Sequence, residues 1–133
     1  MTYDKLEEKM LSIGSKINVP PEYYPKLKCS SSFEDTYIEI KFPFLYYIAI
    51  EYGKEVERRK FTNTDDLFYA VFKDITHTMA MWYEAYNRIE NQDFRKILFS
   101  KQIELLSKIC PEYAIKRQKE INEILTKYPY IDE

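Results

Sequence analysis

Glycine, cysteine and histidine are scarce in this chain, which has two glycines, two cysteines and one histidine among 133 residues. Cys29 and Cys110 lack the CxxC spacing of a structural zinc site, and a single imidazole does not complete a set of four ligands with them. We therefore expect neither a metal nor another cofactor. The number of cysteines does not exclude a disulfide between them, although two isolated thiols are more typical of a protein in a reducing compartment.

Long apolar runs and an excess of charge of one sign are also missing. No stretch approaches the roughly 18 apolar residues of a membrane span, and the N-terminal MTYDKLEEKML has alternating charges where a signal peptide has an apolar core. Twenty basic and 22 acidic residues give a net charge of −2, with neither a basic arm for nucleic acid nor an acidic block. These absences predict a cytoplasmic protein that binds neither membranes nor nucleic acid.

The apolar content is sufficient for a folded core. Hydrophobic residues make up 45% of the chain and charged residues 32%, and this length suits a single domain over residues 1–133. Apolar residues spaced by three and four predict an amphipathic helix over residues 3–17, which Pro20 and Pro21 end. A loop is expected over residues 29–32.

Three segments with strand character follow, and they alternate in polarity or are rich in aromatic and β-branched residues. They cover residues 36–42, 44–52 and 54–61. We expect a three-residue turn, Tyr52–Lys54, because it aligns Ile50 with Val56 on one face, whereas a two-residue turn does not. The segments predict an antiparallel meander.

Three helical patterns end the chain, over residues 67–86, 94–109 and 111–128. Thr62 and Thr64 offer caps for the first of them. That helix is apolar on several sides, so we expect it to be central and covered by the sheet and by neighbouring helices. Because the strands are clustered, the fold class is α+β: one N-terminal helix, a three-stranded antiparallel meander, then three C-terminal helices packed on the sheet.

His77 is the only histidine, the residue type whose ordinary pKa lies near neutral pH, and it lies three residues after Asp74. No nucleophile, phosphate-binding loop or metalloprotease motif accompanies it, so we predict that the protein is not an enzyme. Two alternatives stay open. One is a small-molecule-binding protein or enzyme with a pocket around His77 and Trp82, and the other is a generic protein-interaction module.

Tyrosine is unusually frequent, with thirteen residues. Tyr46 and Tyr47 are adjacent on the second strand, so their side chains point to opposite faces. With the three-residue turn, Tyr47 shares a face with Arg59, and tyrosine and arginine are enriched at interface hot spots. We expect Tyr47→Ala to weaken binding of a partner with little loss of stability.

The segment RIENQDFR carries four ionic side chains between two helical patterns. Glu84 and Arg88 are four residues apart, in the favourable order for an ion pair on a helix. Asn91 or Asp93 is expected to cap the next helix, and Arg95 to reach back across the corner. We interpret Arg88, Asp93 and Arg95 as a structural clasp, and the alternative that this corner is part of a partner interface stays open.

Three stretches, IEYGKEVERRKFTNTDDLFYAVFKDITHTMA, YEAYNRIENQDFRKILFSKQIELL and the KYPYIDE tail, resemble the pattern of immunity protein family 63 of bacterial polymorphic toxin systems. The resemblance covers roughly residues 46–133. The matching positions are Glu51, Gly53, Glu57, Arg58, Arg59, Thr62, Asp65, Arg88, Gln92, Asp93, Arg95, Phe99, Gln102, Pro129 and Asp132. Tyr52 stands where the pattern has a basic residue.

The resemblance implies a small protein that binds a cognate toxin and neutralises it by stoichiometric occlusion, which protects the producing cell without catalysis. The candidate partner contacts are on the second and third strands. They are Tyr46, Tyr47, Glu51, Arg58 and Arg59. The identity of the toxin and the oligomeric state are left open.

Overall fold

The structure is a computed structural model that describes residues 1–29 and 33–133, so the part of the predicted loop at residues 30–32 lies outside the described residues. The elements are α1 (Tyr3–Gly14), β1 (Lys26–Leu27), β2 (Asp35–Lys41), β3 (Phe44–Glu51), β4 (Lys54–Phe61), α2 (Thr64–Tyr86), α3 (Arg95–Ile109) and α4 (Pro111–Lys127). The chain divides into two compact units, Met1–Val71 and Phe72–Glu133. The single domain stays a prediction.

Helix α1 begins after Thr2, whose hydroxyl accepts the Lys5 N–H at 3.2 Å as an N-cap. The predicted helix over residues 3–17 is an α-helix only as far as Gly14, and a 3₁₀ turn continues it to Ile17. A Cβ at position 14 would overlap the hydroxyl and ring of Tyr24. Glycine therefore allows this tyrosine to pack directly on the helix backbone.

Among the described residues, the sheet has four strands in the order β1-β2-β3-β4, and it is mixed rather than antiparallel. β1 pairs with β2 in parallel, whereas β2 with β3 and β3 with β4 pair antiparallel. The prediction of a three-stranded antiparallel meander is therefore wrong by one strand. β1 is two residues long, which is too short to show an alternating pattern.

The turn between β3 and β4 has two residues, Tyr52 and Gly53, so the predicted three-residue turn is wrong. Both residues have positive φ, 52° and 73°, which matches the twist of the strands they join. A β-bulge then gives β4 one extra residue, Val56, whose side chain is 54% exposed and is not aligned with Ile50. Beyond the bulge, β3 and β4 pair in the register that the longer turn predicts.

Within Met1–Val71, the fully buried side chains come from α1, the sheet and the first two turns of α2. They include Leu6, Met10, Ile38, Ile48, Leu67, Phe68 and Val71. The backbone N–H of Ile40 on β2 donates to the hydroxyl of Tyr3 on α1 at 2.9 Å. Asn63 caps α2 by accepting the Asp66 N–H at 2.8 Å, so neither threonine predicted as a cap takes that role.

Within Phe72–Glu133, residues of α2, α3 and α4 form a core. Its buried members are Ala80, Leu98, Phe99 and Ile121. Gln102 is 0% exposed and joins the three helices: its amide donates to the Lys73 carbonyl at 3.0 Å and accepts from Nε of Arg117 at 2.9 Å. Pro111 occupies the first turn of α4, as the sequence predicts.

Candidate functional site

The five candidate contacts do not form one surface. Tyr46 and Arg58 lie on one face of β3 and β4, while Tyr47 and Arg59 are directly paired on the other. Glu51 is exposed at the end of β3, next to the turn. The candidates therefore divide into two pairs and one isolated carboxylate.

On the first face, the guanidinium of Arg58 lies 5.2 Å from the centroid of the Tyr46 ring. Arg58 donates to the two carboxylate oxygens of Glu55 at 3.0 and 2.7 Å, and to Glu39 at 3.3 Å. The hydrogen bond between Arg58 and Glu55 is the largest cause that raises the pKa of the guanidinium and lowers the pKa of the carboxyl. The face therefore presents a charged guanidinium held beside an aromatic ring.

On the opposite face, the side chain of Tyr47 is 3% exposed, so the expectation that it is a surface anchor is wrong. The guanidinium of Arg59 lies 4.5 Å from the centroid of its ring, and Nε of Arg59 is 3.1 Å from Glu57. Alternation along β3 separates Tyr46 from Tyr47 but does not indicate which of the two is buried. In the folded sheet, Tyr47 cannot contact a partner.

Asp93 is at the centre of the corner between α2 and α3. Its Oδ1 accepts the backbone N–H and Nε of Arg95 at 3.0 and 3.2 Å, and its Oδ2 accepts Nη2 of Arg95 at 2.8 Å and the Ile131 N–H at 3.0 Å. The Asp93 side chain is 8% exposed. Asp93 thus supplies the cap at the start of α3, whereas Asn91, with φ of 66°, forms the preceding turn.

The same corner holds the segment after α4. Arg95 donates to the carbonyls of Tyr128 and Pro129 at 2.8 and 2.9 Å, and Asp132 accepts the Asp93 N–H at 3.0 Å. Pro129 and Asp132 are positions of the family pattern, but a pattern does not tell which residues they contact. These contacts span more than 30 residues along the chain and have no local signature in the sequence.

Arg88 belongs to a different ion pair. Its Nε and Nη2 donate to Glu84 at 3.0 and 2.9 Å, which is the expected pair four residues apart. Glu84 is 3% exposed, and its hydrogen bond with Arg88 lowers the pKa of the carboxyl and raises that of the guanidinium. Of the three predicted clasp residues, Asp93 and Arg95 bind each other, and Arg88 neutralises Glu84 beside the end of α2.

We expect Asp93→Asn to lower the thermal midpoint at pH 7 by roughly 5 °C or more. The hydrogen bond from Arg95, followed by that from the Ile131 N–H, holds the pKa of Asp93 far below its usual range. A carboxylate with a lowered pKa stabilises the fold fully above its unfolded pKa of about 3.9, and this contribution is lost as the pH falls below that value. The difference between wild type and variant should therefore shrink from pH 5 to pH 2 in thermal scans.

Glu90→Gln is the control for that experiment, because Glu90 is an exposed carboxylate in the same corner. Amide hydrogen exchange at Ile131 gives a second readout, since its N–H donates to Asp93. A variant that keeps the wild-type midpoint and wild-type exchange at Ile131 would show that the corner does not act as a clasp.

A groove that the sequence did not predict lies between the end of α2 and the start of α3. It has a volume of about 400 Å³, and its wall includes Met81, Trp82, Glu84, Arg88, Phe94 and Leu98. Met81, Trp82 and Phe94 are 49%, 56% and 53% exposed. The expectation that the sheet and neighbouring helices cover this helix is therefore wrong for Met81 and Trp82 in its last two turns.

Trp82 lies in the groove wall and His77 does not, so this groove is not the pocket around both residues that the sequence left open as an alternative. Burial is the main cause that lowers the pKa of His77, and Arg117 acts in the same direction while Asp74 opposes it. The imidazole is therefore mostly neutral at pH 7. The neighbouring carboxylate does not raise its basicity above that of a free histidine.

Both cysteines are free thiols. Within residues 1–29 and 33–133, no cluster of three or more His, Cys, Asp and Glu side chains is placed to bind a metal ion. None of the helices in this part of the chain combines the length and the apolar character that crossing a membrane requires.

The comparisons with known proteins identify one family. A family model described as Immunity protein 63 matches residues 43–123. The match includes β3, β4, α2, α3, most of α4 and the corner with Asp93 and Arg95, and it ends before Pro129 and Asp132. Searches of curated proteins and of solved structures gave no significant match. Because the matched segment is more than half of the chain, the chain belongs to immunity protein family 63.

Proposed function

We propose that this protein binds a cognate bacterial toxin in the cytoplasm and neutralises it by stoichiometric occlusion, without catalysis. Family membership over residues 43–123 carries the proposal. A tight protein complex of this kind buries roughly 1,200–2,000 Å² and depends on a few well-packed anchors. With a net charge of −2, electrostatic attraction alone is a weak basis for capture, so aromatic anchors with charged pairs for specificity fit better.

On the sheet, four of the five candidates keep exposed surface and remain proposed contacts. They are Tyr46, Glu51, Arg58 and Arg59. The side chain of Arg58 is 34% exposed and that of Arg59 is 36% exposed. The ring of Tyr46 and the guanidinium of Arg58 already contact each other, so a toxin would meet a pre-ordered pair.

Co-expression with the toxin domain encoded next to this gene tests the proposal. We expect growth to be rescued against that toxin and not against an unrelated one, and protection to fail once the toxin exceeds about one equivalent of this protein. An enzyme would instead protect at a small fraction of one equivalent. His77→Ala serves as a control, and we expect it to rescue as well as wild type. Absence of both rescue and binding would overturn the proposed function.

A further inference from the structure

We infer that the cognate toxin inserts an apolar side chain, next to one of its own carboxylates, into the Trp82 groove. This groove is the cleft lined by Met81, Trp82, Glu84, Arg88, Phe94 and Leu98. The inference rests on the proposed function, because the occupant is the toxin. It goes beyond that function by naming the surface and the chemistry of the contact.

The composition of the groove is that of an interface core. Tryptophan, methionine, phenylalanine and arginine are all enriched where protein interfaces become fully buried. Here Met81, Trp82 and Phe94 expose about half of their surface together at one place. Single exposed apolar residues need no explanation, whereas a cluster around one cleft indicates a binding surface.

The groove is also largely pre-ordered. The Trp82 ring stacks on Tyr86, with centroids 6.3 Å apart and an angle of 26° between the planes. The opposite wall begins at Phe94 and continues into Leu98, which is 4% exposed and packed in the helical core. Because the side chains of the walls are already held in place, they lose little additional conformational entropy when a ligand binds between them, and this favours tight binding.

The charge beside the groove indicates the second half of the contact. Glu84 is buried, whereas the side chain of Arg88 is 65% exposed, so the charge that reaches solvent is positive. Glu84 accepts from Nε and Nη2, and among the described residues of this unit Nη1 has no acceptor. A carboxylate of the toxin would accept from that edge in a charge-assisted hydrogen bond.

The same charge argues against a second copy of this chain as the occupant. Two copies facing each other across a two-fold axis at the groove would bring their Arg88 side chains toward one another. Like charges placed opposite each other at an interface repel, and this repulsion disfavours the complex. An acidic partner with an apolar side chain has no such penalty.

Calorimetric titration of the full chain with the purified toxin domain encoded next to its gene tests the inference. We expect Trp82→Ala to raise the dissociation constant by roughly 30-fold or more. Arg88→Lys keeps a cation for Glu84 but loses the second edge of the guanidinium, and we expect roughly 10-fold weaker binding. Ile115→Ala, on α4 and 71% exposed, is the matched control and should bind within about 2-fold of wild type.

Thermal scans check that each variant is folded, and Phe94→Ala on the opposite wall repeats the test independently of Trp82. If wild type neither binds nor rescues, the proposed function fails and the inference fails with it. If wild type binds and the three groove variants bind equally well, the groove is not the site and the proposed function stands. If Arg58→Ala alone weakens binding, the toxin occupies the sheet face instead. Self-association of wild type that Trp82→Ala abolishes, seen by sedimentation, would assign the groove to a second copy and overturn the inference.

Discussion

Replacing Tyr47 with alanine is expected to lower the free energy of unfolding by about 3–5 kcal/mol. The side chain is 3% exposed, its neighbour across the β2–β3 pair is the fully buried Ile38, and the Arg59 guanidinium covers its ring at 4.5 Å. Truncation would leave a cavity on the buried face of the sheet and remove the ring that Arg59 packs against. Since small domains are stable by only about 5–15 kcal/mol, this is a large fraction of the total.

Tyr46→Ala is the matched control, because it removes the same side chain from the adjacent position on the opposite, partly exposed face. We expect Tyr46→Ala to cost clearly less than Tyr47→Ala in urea unfolding followed by circular dichroism. Tyr47→Phe keeps the ring that packs against Arg59, so it should cost clearly less than Tyr47→Ala. Equal urea midpoints for wild type and Tyr47→Ala would contradict the buried position and restore Tyr47 as an interface residue.

Tyr47 shows how far the sequence leads in the sheet. Alternation correctly separates Tyr46 from Tyr47 and correctly pairs Tyr47 with Arg59. It does not reveal which face is buried, because both faces of β3 and β4 carry aromatic and cationic side chains. The turn was wrong for a different reason: a two-residue turn followed by a bulge at Val56 gives the same distant register as a three-residue turn.

In the corner between α2 and α3, the sequence predicts contacts between residues close together in the chain but not those between distant residues. The pair of Glu84 with Arg88 and the contacts of Asp93 with Arg95 follow from spacings of four and two residues. The hydrogen bond from Arg95 to the carbonyl of Tyr128 joins residues 33 positions apart, and no periodic pattern in the sequence predicts it. The sequence therefore predicts a clasp but not that it holds the segment after α4.

The Trp82 groove shows what the sequence pattern of a helix does not predict. Periodicity identifies apolar stripes on α2, but it does not tell whether another element covers a given stripe. Met81 and Trp82 look like core residues of α2 in the sequence, but they are 49% and 56% exposed in the structure. An apolar position left uncovered is therefore visible only once the fold is known.

Gln102→Met is expected to lower the free energy of unfolding by about 2–3 kcal/mol, although it preserves volume. Gln102 is 0% exposed, and its Oε1 accepts from Nε of Arg117 at 2.9 Å while its amide donates to the Lys73 carbonyl and to Thr76. Methionine fills the space but leaves the nearly buried guanidinium of Arg117 without that acceptor. A buried donor on a charged group that loses its partner is costly.

A double-mutant cycle with Arg117→Met identifies the hydrogen bond as the cause. Replacing one partner leaves the other buried and unpaired, whereas replacing both by apolar side chains of similar size removes the penalty. We therefore expect the double variant to be more stable than the sum of the two single losses predicts, by about 1–2 kcal/mol. Arg117 also pairs with Glu120 at 3.3 Å, and Glu120 is 3.1 Å from Lys73, so that carboxylate keeps a cation in the double variant. Strictly additive losses would mean that Gln102 acts through packing alone and that the bond to Arg117 contributes nothing to joining the three helices.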